Sequence, residues 1–278
     1  MGREDPGPTL DADLSFAHEL ADLAAKTAMP YFRRELQQWA KPDGSLATEA
    51  DLAVEDALRA HIVAARPADA MLGEERGQTG ASSRRWIVDG IDGTVEFAAG
   101  TVGWGTLIAL EVDGRVVLGV CSQPPKGRRY WAVEGHGALA STADAPSPAR
   151  VHVSTVGDLA SARSYIPPPR WLPDARARRI AGALSQATRP EPQTDHAVMQ
   201  LVTGRYDLVV FFLAGEWDLA APLLIVREAG GRFTDLYGGQ SLTTGTAVFS
   251  NGLVHEQALE VIGASIAGAG SEDPAYSC

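Results

Sequence analysis

The sequence predicts a layered fold of the α+β or α/β class, and three observations along its 278 residues support that prediction. Apolar residues near the start recur at helical spacing. Short apolar runs separated by turn signals follow, which is typical of strands. Strand and helix patterns then alternate towards the end. With 45% hydrophobic residues, the chain can build a substantial core, as one large domain or two closely joined halves.

The first part of the chain is predicted to hold a leader and two helices. Residues 1–12 carry prolines and acids without periodicity, so we expect a disordered leader there. A helix follows over residues 13–28, and Pro30 is expected to kink it or make it restart. Residues 41–44 are predicted as a turn, and residues 49–65 as a second helix.

The middle of the chain is predicted to be rich in strands, two of which are joined by a hairpin turn at Asp113-Gly114. A Ser/Pro/Ala-rich stretch at residues 141–148 indicates an internal boundary. It separates an N-terminal half, a C-terminal half and a loose tail: residues 13–145, 149–266 and 267–278. We expect strands at residues 86–89, 106–111, 115–122, 130–133, 206–213 and 247–250. We expect further helices at residues 174–187, 196–203, 218–229 and 253–266.

Charge and cysteine content exclude several classes of protein. The formal net charge is -11 and the isoelectric point is about 5.0, so neither nucleic acid nor an anionic membrane is an expected partner. Cys121 and Cys278 form neither a disulfide framework nor a zinc-site spacing. The first residues lack an apolar signal segment, and no run approaches the roughly 18–20 apolar residues of a membrane span. We therefore expect a cytoplasmic protein.

Four short acidic segments fall where the chain is expected to turn, and one of them suggests a metal site. Asp89 ends a predicted strand, and Asp92 follows it, directly before Gly93-Thr94. Acids this close repel each other unless a cation lies between them, and Mg²⁺ prefers oxygen ligands. The open backbone at Gly93 lets the N–H groups of Gly93 and Thr94 approach a phosphate oxygen. The other three segments carry Asp51, Glu74-Glu75 and Asp218.

Each of these other acids also has an ordinary structural interpretation. Asp51 and Asp218 begin predicted helices, where an acid stabilises the first turn by about 0.5–2 kcal/mol. Glu74 and Glu75 are typical of a solvated loop. The joint occurrence of the four segments, in this order along the chain, favours a functional site.

Residues 14–264 resemble the inositol-monophosphatase-like phosphatases. The resemblance rests on three motifs: Gly73-Glu74-Glu75, Trp86-Ile87-Val88-Asp89-Gly90-Ile91-Asp92-Gly93-Thr94, and Trp217-Asp218-Leu219-Ala220-Ala221-Pro222 with Glu228-Ala229-Gly230-Gly231. Within the family, residues 41–43, 85–89 and 227–231 are most similar to the actinobacterial histidinol-phosphate phosphatases. The resemblance implies a layered αβαβα sandwich, a homodimer, and hydrolysis of a small-molecule phosphate ester.

The resemblance also implies roles for individual residues. Two or three Mg²⁺ ions, replaceable by Mn²⁺, are expected on carboxylates and one backbone carbonyl: Glu74, Asp89, Ile91, Asp92, Asp218. Thr94, supported by Asp51, would orient the attacking water, with Glu74 as a third catalytic residue. Gly93 and Thr94 would bind the phosphate, and Lys41 would belong to a loop near a third metal.

Two departures from the family pattern lie beside the metal ligands. Gly90 stands where the family usually has proline, and glycine is expected to loosen that turn and lower metal affinity. Glu96 adds a negative charge beside a site for an anion. It either contacts a cationic or hydroxyl group of the substrate or points away. Val95 and Ala99 stand where the histidinol-phosphate branch has basic residues.

A third departure affects the substrate pocket. Phe211 stands where the family often has a glutamate that binds the substrate. It is either part of a core strand or an apolar surface on which a ring of the substrate stacks. Asp195 and His196 are another candidate pocket pair. The substrate therefore stays open among histidinol phosphate, an inositol or sugar phosphate, a nucleotide and a specialised metabolite. A non-catalytic binding protein is the alternative from another class.

Overall fold

The structure, a computed structural model, describes residues 9–42 and 44–267. The predicted leader up to residue 8 and the predicted tail from residue 268 lie outside these residues. The described chain forms helices α1 (Leu10–Ala28), α2 (Glu49–Ala65), α3 (Thr94–Ala98), α4 (Ala175–Ala187), α5 (Ala197–Val202), α6 (Glu216–Glu228) and α7 (His255–Ala267). None of the helices in this part of the chain has the length and apolar character needed to pass through a bilayer.

The strands form a large sheet, a smaller sheet and a short hairpin. They are β1 (Gln38–Ala40), β2 (Leu46–Thr48), β3 (Ala70–Gly73), β4 (Gly77–Thr79), β5 (Arg84–Asp92), β6 (Gly105–Val112), β7 (Arg115–Gln123), β8 (Arg128–Val133), β9 (Ala138–Thr142), β10 (Ala149–Arg150), β11 (Arg163–Tyr165), β12 (Arg189–Pro190), β13 (Leu208–Phe211), β14 (Arg232–Thr234) and β15 (Ala247–Ser250). The large sheet has the order β10-β9-β8-β7-β6-β5-β3-β4, and the smaller one β12-β11-β13-β15-β14. Among the strands that the structure describes, β1 and β2 form a separate two-stranded sheet.

Helices and sheets alternate in five layers, which confirms the αβαβα sandwich. Leu20 of α1 and Trp86 of β5 share a core between the first helix pair and the large sheet. Leu219 of α6 and Val209 of β13 belong to a second core, in which α5 and α6 lie between the two sheets. Ile180 of α4 belongs to a third core, on the outer face of the smaller sheet, together with residues of α7.

Strand β5 is buried on both faces, which explains its nearly continuous apolar run. Trp86 and Val88 belong to the core under α1 and α2, whereas Ile87 belongs to the core under α5 and α6. Side chains of a strand alternate between faces, so a strand in a central layer needs apolar residues at successive positions. The strand reaches Asp92, three residues beyond its predicted end.

The first helix begins earlier than predicted. Thr9 caps it by accepting a hydrogen bond from the backbone N–H of Ala12, and Asp11 and Asp13 stabilise its first turn. Residues 10–12 are therefore helical, and the prediction of a disordered leader is wrong there. The helix ends at residue 28, so Pro30 follows its end and does not kink it.

The predicted boundary at residues 141–148 overlaps the end of β9 and the connection from β9 to β10, two paired strands of the large sheet. Strands β9 and β10 pair on either side of residues 143–148, with Ala149 opposite Ala140. The large sheet therefore continues two residues into the predicted C-terminal half. The division into two halves stays a prediction.

Two short hairpins that the sequence did not predict carry candidate site residues. Strands β1 and β2 place Lys41 in the loop between them. Strands β3 and β4 are antiparallel, with Gly73 opposite Gly77, so Glu74 opens the turn that joins them. Strands of three or four residues contain too few alternating positions to stand out in a sequence.

Gly90 lies inside β5, so its predicted place in a turn is wrong, while its effect on metal affinity stays a prediction. Its backbone is not in the left-handed region. A Cβ atom at Gly90 would lie 2.9 Å from Cγ1 of Val54. Glycine at this position therefore lets α2 pack closely against the sheet.

Candidate metal and phosphate site

Three carboxylates meet at the end of β5. Ligand oxygens of Asp89, Asp92 and Asp218 lie within 4.8 Å of one another. Strand β5 supplies the first two, and its pairing with β6 is irregular between them. Such a bulge changes the direction of the side chains that follow it. Asp218 comes from the first turn of α6. This helix packs on the face of the large sheet that is opposite α1 and α2.

The charges of this group indicate a cation site. Burial raises the pKa of Asp89 well above its ordinary value, and the negative charges of Glu74, Asp92 and Asp218 raise it further. Burial and the charges of Asp92 and Glu74 likewise raise the pKa of Asp218. Three ionised acids at this spacing require a cation between them. A donor set made of carboxylate oxygens fits a hard divalent ion such as Mg²⁺.

Backbone N–H groups hold two of the three carboxylates in place. The N–H of Ile91 donates to Asp89 Oδ1 at 2.9 Å. The N–H of Gly215 donates to Asp218 Oδ2 at 2.6 Å, as part of the cap of α6. Each bond engages one carboxylate oxygen and thereby fixes the direction of the other.

Glu74 lies next to the three-carboxylate group and is bound by Lys41. Strands β3 and β5 are parallel neighbours, so the residue after β3 lies beside the end of β5. Lys41 Nζ lies 2.7 Å from Glu74 Oε1 and 2.5 Å from Glu75 Oε1. Burial raises the pKa of Glu74 to about 7, although Lys41 opposes the rise, and the charges of Glu75 and Asp92 add to it. Lys41 thus supplies a positive charge at this edge of the site.

Thr94 and Asp51 form a second element of the site. Asp51 caps α2, and its Oδ2 accepts hydrogen bonds from Thr48 N at 2.8 Å and Thr48 Oγ1 at 2.6 Å. Its Oδ1 accepts a hydrogen bond from Thr94 Oγ1 at 2.9 Å. Gly93 precedes Thr94 with φ 88°, a left-handed conformation that favours glycine. One oxygen of Asp51 therefore serves the cap of α2, and the other binds Thr94.

Glu96 lies over the same turn. Its Oε2 would be 3.3 Å from a Cβ atom at Gly93, so its carboxylate folds back over that glycine. Burial raises the pKa of Glu96, and the charge of Asp92 raises it further, while Arg170 opposes the rise. A carboxylate in this position favours a positively charged or hydrogen-bond-donating neighbour.

Asp195 and His196 have different surroundings. Asp195 is bound by Gln123 Nε2 and by Lys126 Nζ, each at 2.5 Å. Burial raises its pKa, but the bonds from Lys126 and Gln123 outweigh that effect and the pKa is lowered. His196 Nε2 lies 2.8 Å from Asp92 Oδ2, although the two atoms do not form a hydrogen bond of acceptable geometry. His196 therefore reaches the three-carboxylate group, whereas the carboxylate of Asp195 is held by neighbouring donors.

Phe211 belongs to an aromatic cluster at the end of β13. Its ring centroid lies 6.3 Å from that of Tyr165 and 6.1 Å from that of Phe249. Burial raises the pKa of Tyr165, and the charge of Glu96 raises it further. Phe211 is half-buried. It packs against the core between the two sheets, and its role towards a substrate stays a prediction.

Two residues that contact candidate site residues were not predicted: Tyr165 packs against Phe211, and Glu55 binds the N–H of Glu75. Tyr165 lies in a short strand before a proline-rich segment, where no pattern marks it. Glu55 follows Asp51 by four residues, which places both acids on one face of α2. That spacing was a usable signal, because a buried face of a helix seldom carries two acids without partners.

Comparisons with known proteins identify the family of the chain. The inositol monophosphatase family matches residues 9–269. A Streptomyces griseus protein named glucose-1-phosphate thymidylyltransferase is 42% identical over 243 residues, which are 84% of this chain and 89% of that protein. The histidinol-phosphatase of Streptomyces coelicolor is 39% identical over 254 residues, which are 89% of this chain and 95% of that protein.

A solved structure extends the comparison to the fold. An inositol monophosphatase from Zymomonas mobilis superposes with a TM-score of 0.78 at 29% identity, covering 92% of this chain and 99% of that one. The family match spans nearly the whole described chain, and the two relatives exceed 30% identity over most of their length. The chain belongs to the inositol monophosphatase family of metal-dependent phosphomonoesterases.

Proposed function

We propose that the protein hydrolyses a small phosphorylated alcohol with Mg²⁺, using water as the nucleophile. The observation that supports this most strongly is the group formed by Asp89, Asp92 and Asp218, with Thr94 and Asp51 beside it. Two or three Mg²⁺ ions, or Mn²⁺ in their place, are part of the proposal. When bound, such ions lower the pKa of water and stabilise charge on the phosphate and on the leaving alkoxide.

The chain's own residues divide the work of this reaction. The three aspartates would hold the metal, together with Glu74 and the carbonyl of Ile91. The hydroxyl of Thr94 donates a hydrogen bond to Asp51, so the lone pairs of its oxygen remain to accept a hydrogen bond from water. A water held in this way points its own lone pairs towards the phosphorus atom. Direct attack by water requires no covalent phosphoenzyme.

The pocket residues suggest which phosphate ester is hydrolysed. Histidinol phosphate is the nearest precedent, because relatives of 36–40% identity are named histidinol-phosphatase. Glu96 suits a cationic or hydroxyl group on the substrate, and Phe211 with Tyr165 suits a ring. These features support a substrate that carries both groups. Inositol and sugar phosphates, nucleotides and specialised metabolites remain alternatives within the same reaction class.

A panel of phosphate esters tests the proposal. Phosphate release is measured with Mg²⁺ and with EDTA on histidinol phosphate, inositol 1-phosphate, fructose 1,6-bisphosphate and several nucleoside monophosphates. We expect one fast, EDTA-sensitive substrate. Glucose 1-phosphate with dTTP is included because of the name of the Streptomyces griseus relative, and pyrophosphate release from that pair would contradict a hydrolase. Equal, slow rates on every ester would argue against a specialised substrate.

The homodimer that the resemblance implies also belongs to the proposal. Light scattering coupled to size-exclusion chromatography measures the mass in solution. A mass near twice 29.4 kDa is expected, and a mass near 29.4 kDa would contradict it.

A further inference from the structure

Helix α2 carries a second buried acid one turn after Asp51. Glu55 is 1% exposed. Its Oε2 accepts a hydrogen bond from the backbone N–H of Glu75 at 2.6 Å, and its Oε1 accepts one from the N–H of Arg76 at 3.0 Å. Both donors lie in the turn between β3 and β4. A buried carboxylate is therefore bound to the segment that carries Glu74.

Glu55 also packs closely against Gly73, the residue before Glu74. A Cβ atom at Gly73 would lie 2.4 Å from the carboxyl carbon of Glu55, so this carboxylate packs directly against the last residue of β3. Glu55 thus contacts the backbone on both sides of Glu74. The direction of a side chain depends on the backbone beside it, so these contacts determine where Glu74 points.

Arg59 completes the arrangement. Its Nη2 lies 2.6 Å from Glu55 Oε1 and 2.9 Å from the carbonyl oxygen of Gly77, and its Nη1 contacts Thr79. Glu55 and Arg59 therefore join α2 to both strands of the β3–β4 hairpin. A buried charge is costly when it lacks partners, and here a cation and two backbone donors satisfy it.

We propose that Glu55 is a positioning residue, which fixes the turn after β3 and thereby directs Glu74 to the metal site. The inference rests on the proposed function, in which Glu74 is a metal ligand. Asp51 binds Thr94 from the same helix. Two acids one turn apart on α2 then position two parts of the site, one through Thr94 and one through Glu74.

Calorimetric titration of Mg²⁺ into the substrate-free protein tests this role. Glu55→Gln keeps the length of the side chain but replaces one acceptor with an NH₂ group that faces backbone donors. We expect Mg²⁺ to bind about 10–100-fold more weakly, which is the usual effect of losing a partner that orients a metal ligand. Glu55→Asp keeps the charge but shortens the side chain. It replaces the glutamine variant if that protein does not fold, and the same weakening of Mg²⁺ binding is expected for it.

Asp56→Asn is the matched control. Asp56 is the next residue of α2, and its carboxylate binds the side chain of Arg76 at 2.9 and 3.0 Å on the exposed side. The control removes the same charge near the same turn without touching the backbone beside Glu74. Its Mg²⁺ affinity is expected to match that of the wild type.

A double-mutant cycle with Glu74→Gln separates positioning from general destabilisation. If Glu55 acts through Glu74, the Glu55→Gln change has little further effect on Mg²⁺ affinity once Glu74 is replaced. A full effect in that background would overturn the inference, as would wild-type Mg²⁺ affinity in a Glu55→Gln protein with a lowered Tm. No Mg²⁺ binding to the wild type would overturn the proposed function and this inference with it.

Discussion

The hydroxyl of Thr94 donates a 2.9 Å hydrogen bond to Oδ1 of Asp51, a carboxylate that also caps α2. A hydroxyl has one proton, so this bond leaves the oxygen of Thr94 as an acceptor. Burial raises the pKa of Asp51, while hydrogen bonds from Thr48 and Thr94 oppose the rise. Thr48 N, Thr48 Oγ1 and Thr94 Oγ1 all donate to the carboxylate of Asp51, so it acts as an acceptor towards Thr94. The acceptor role of Thr94 towards water follows from that direction.

Removing this hydroxyl is expected to slow the reaction without weakening metal binding. Thr94→Val keeps the shape but loses the hydroxyl, and we expect kcat to fall by about 10²-fold or more, the cost of misplacing a reacting group by roughly 1 Å. Thr94→Ser keeps the hydroxyl and is expected to retain most of the activity. Steady-state kinetics and Mg²⁺ calorimetry on both variants measure the effects. Equal losses in the serine and valine variants would argue against a role for the hydroxyl.

The pKa of Glu74 predicts how the metal-free protein responds to pH. The pKa is raised from 4.5 to about 7 on folding, so the folded state binds more protons than the unfolded state between these values. The free energy of unfolding in EDTA is therefore expected to fall as the pH rises from about 4.5 to 7. Urea unfolding at several pH values measures this trend.

A variant measures the share of that trend that Glu74 contributes, because the raised pKa values of Asp89 and Asp218 add to the same trend. Glu74→Gln removes the titrating group. Above pH 7 in EDTA, the free energy of unfolding of the variant is expected to exceed that of the wild type by about 1–3 kcal/mol. With saturating Mg²⁺ the wild type is expected to be the more stable of the two proteins, because only the wild type keeps the Glu74 carboxylate as a metal ligand. A less stable Glu74→Gln protein in EDTA at that pH would contradict the assignment.

Substrate preference is expected to depend on Phe211. Phe211→Glu restores an acid of the family pattern at the end of β13 and removes the aromatic contact with Tyr165. We expect relative rates across the ester panel to change more than the rate on a generic aryl phosphate. Leu213→Glu is the control, since it adds the same charge two residues away at a position 65% exposed. Unchanged relative rates for Phe211→Glu would show that Phe211 is a core residue without a pocket role.

Gly90 is expected to be intolerant of a side chain. Gly90→Ala brings a Cβ atom to 2.9 Å from Cγ1 of Val54, and overpacking of this kind costs about 1–3 kcal/mol. Adding Val54→Ala removes the clashing methyl group, so the double variant is expected to lose less stability than the sum of the single variants. Thermal or urea unfolding of the four proteins measures the coupling. Strict additivity would mean that the close approach of α2 has no energetic consequence.

The parts of the fold with long periodic patterns could be predicted from the sequence. Helices α1, α2 and α6 each span at least three turns, and their apolar faces recur often enough to identify them. The motif from Asp89 to Thr94 likewise marks the end of an apolar strand. Its chemistry is local, so the sequence alone indicates it.

The contacts that complete the site join distant parts of the chain. Lys41 meets Glu74 through two hairpins of three- and four-residue strands, whose patterns are too short to recognise. Glu55 binds the turn at Glu75 from a helix. His196, at the start of α5, meets Asp92 at the end of β5. Such pairings depend on tertiary packing, so the sequence does not show which residues meet.

The most direct test of the central claim compares the wild type with Asp92→Asn. Both proteins are titrated with Mg²⁺ by calorimetry and assayed for Mg²⁺-dependent phosphate release on the best ester of the panel. We expect the variant to keep its fold in EDTA, to bind Mg²⁺ far more weakly and to release no phosphate above background. A variant that binds Mg²⁺ and hydrolyses the ester like the wild type would contradict a catalytic metal site at Asp89, Asp92 and Asp218.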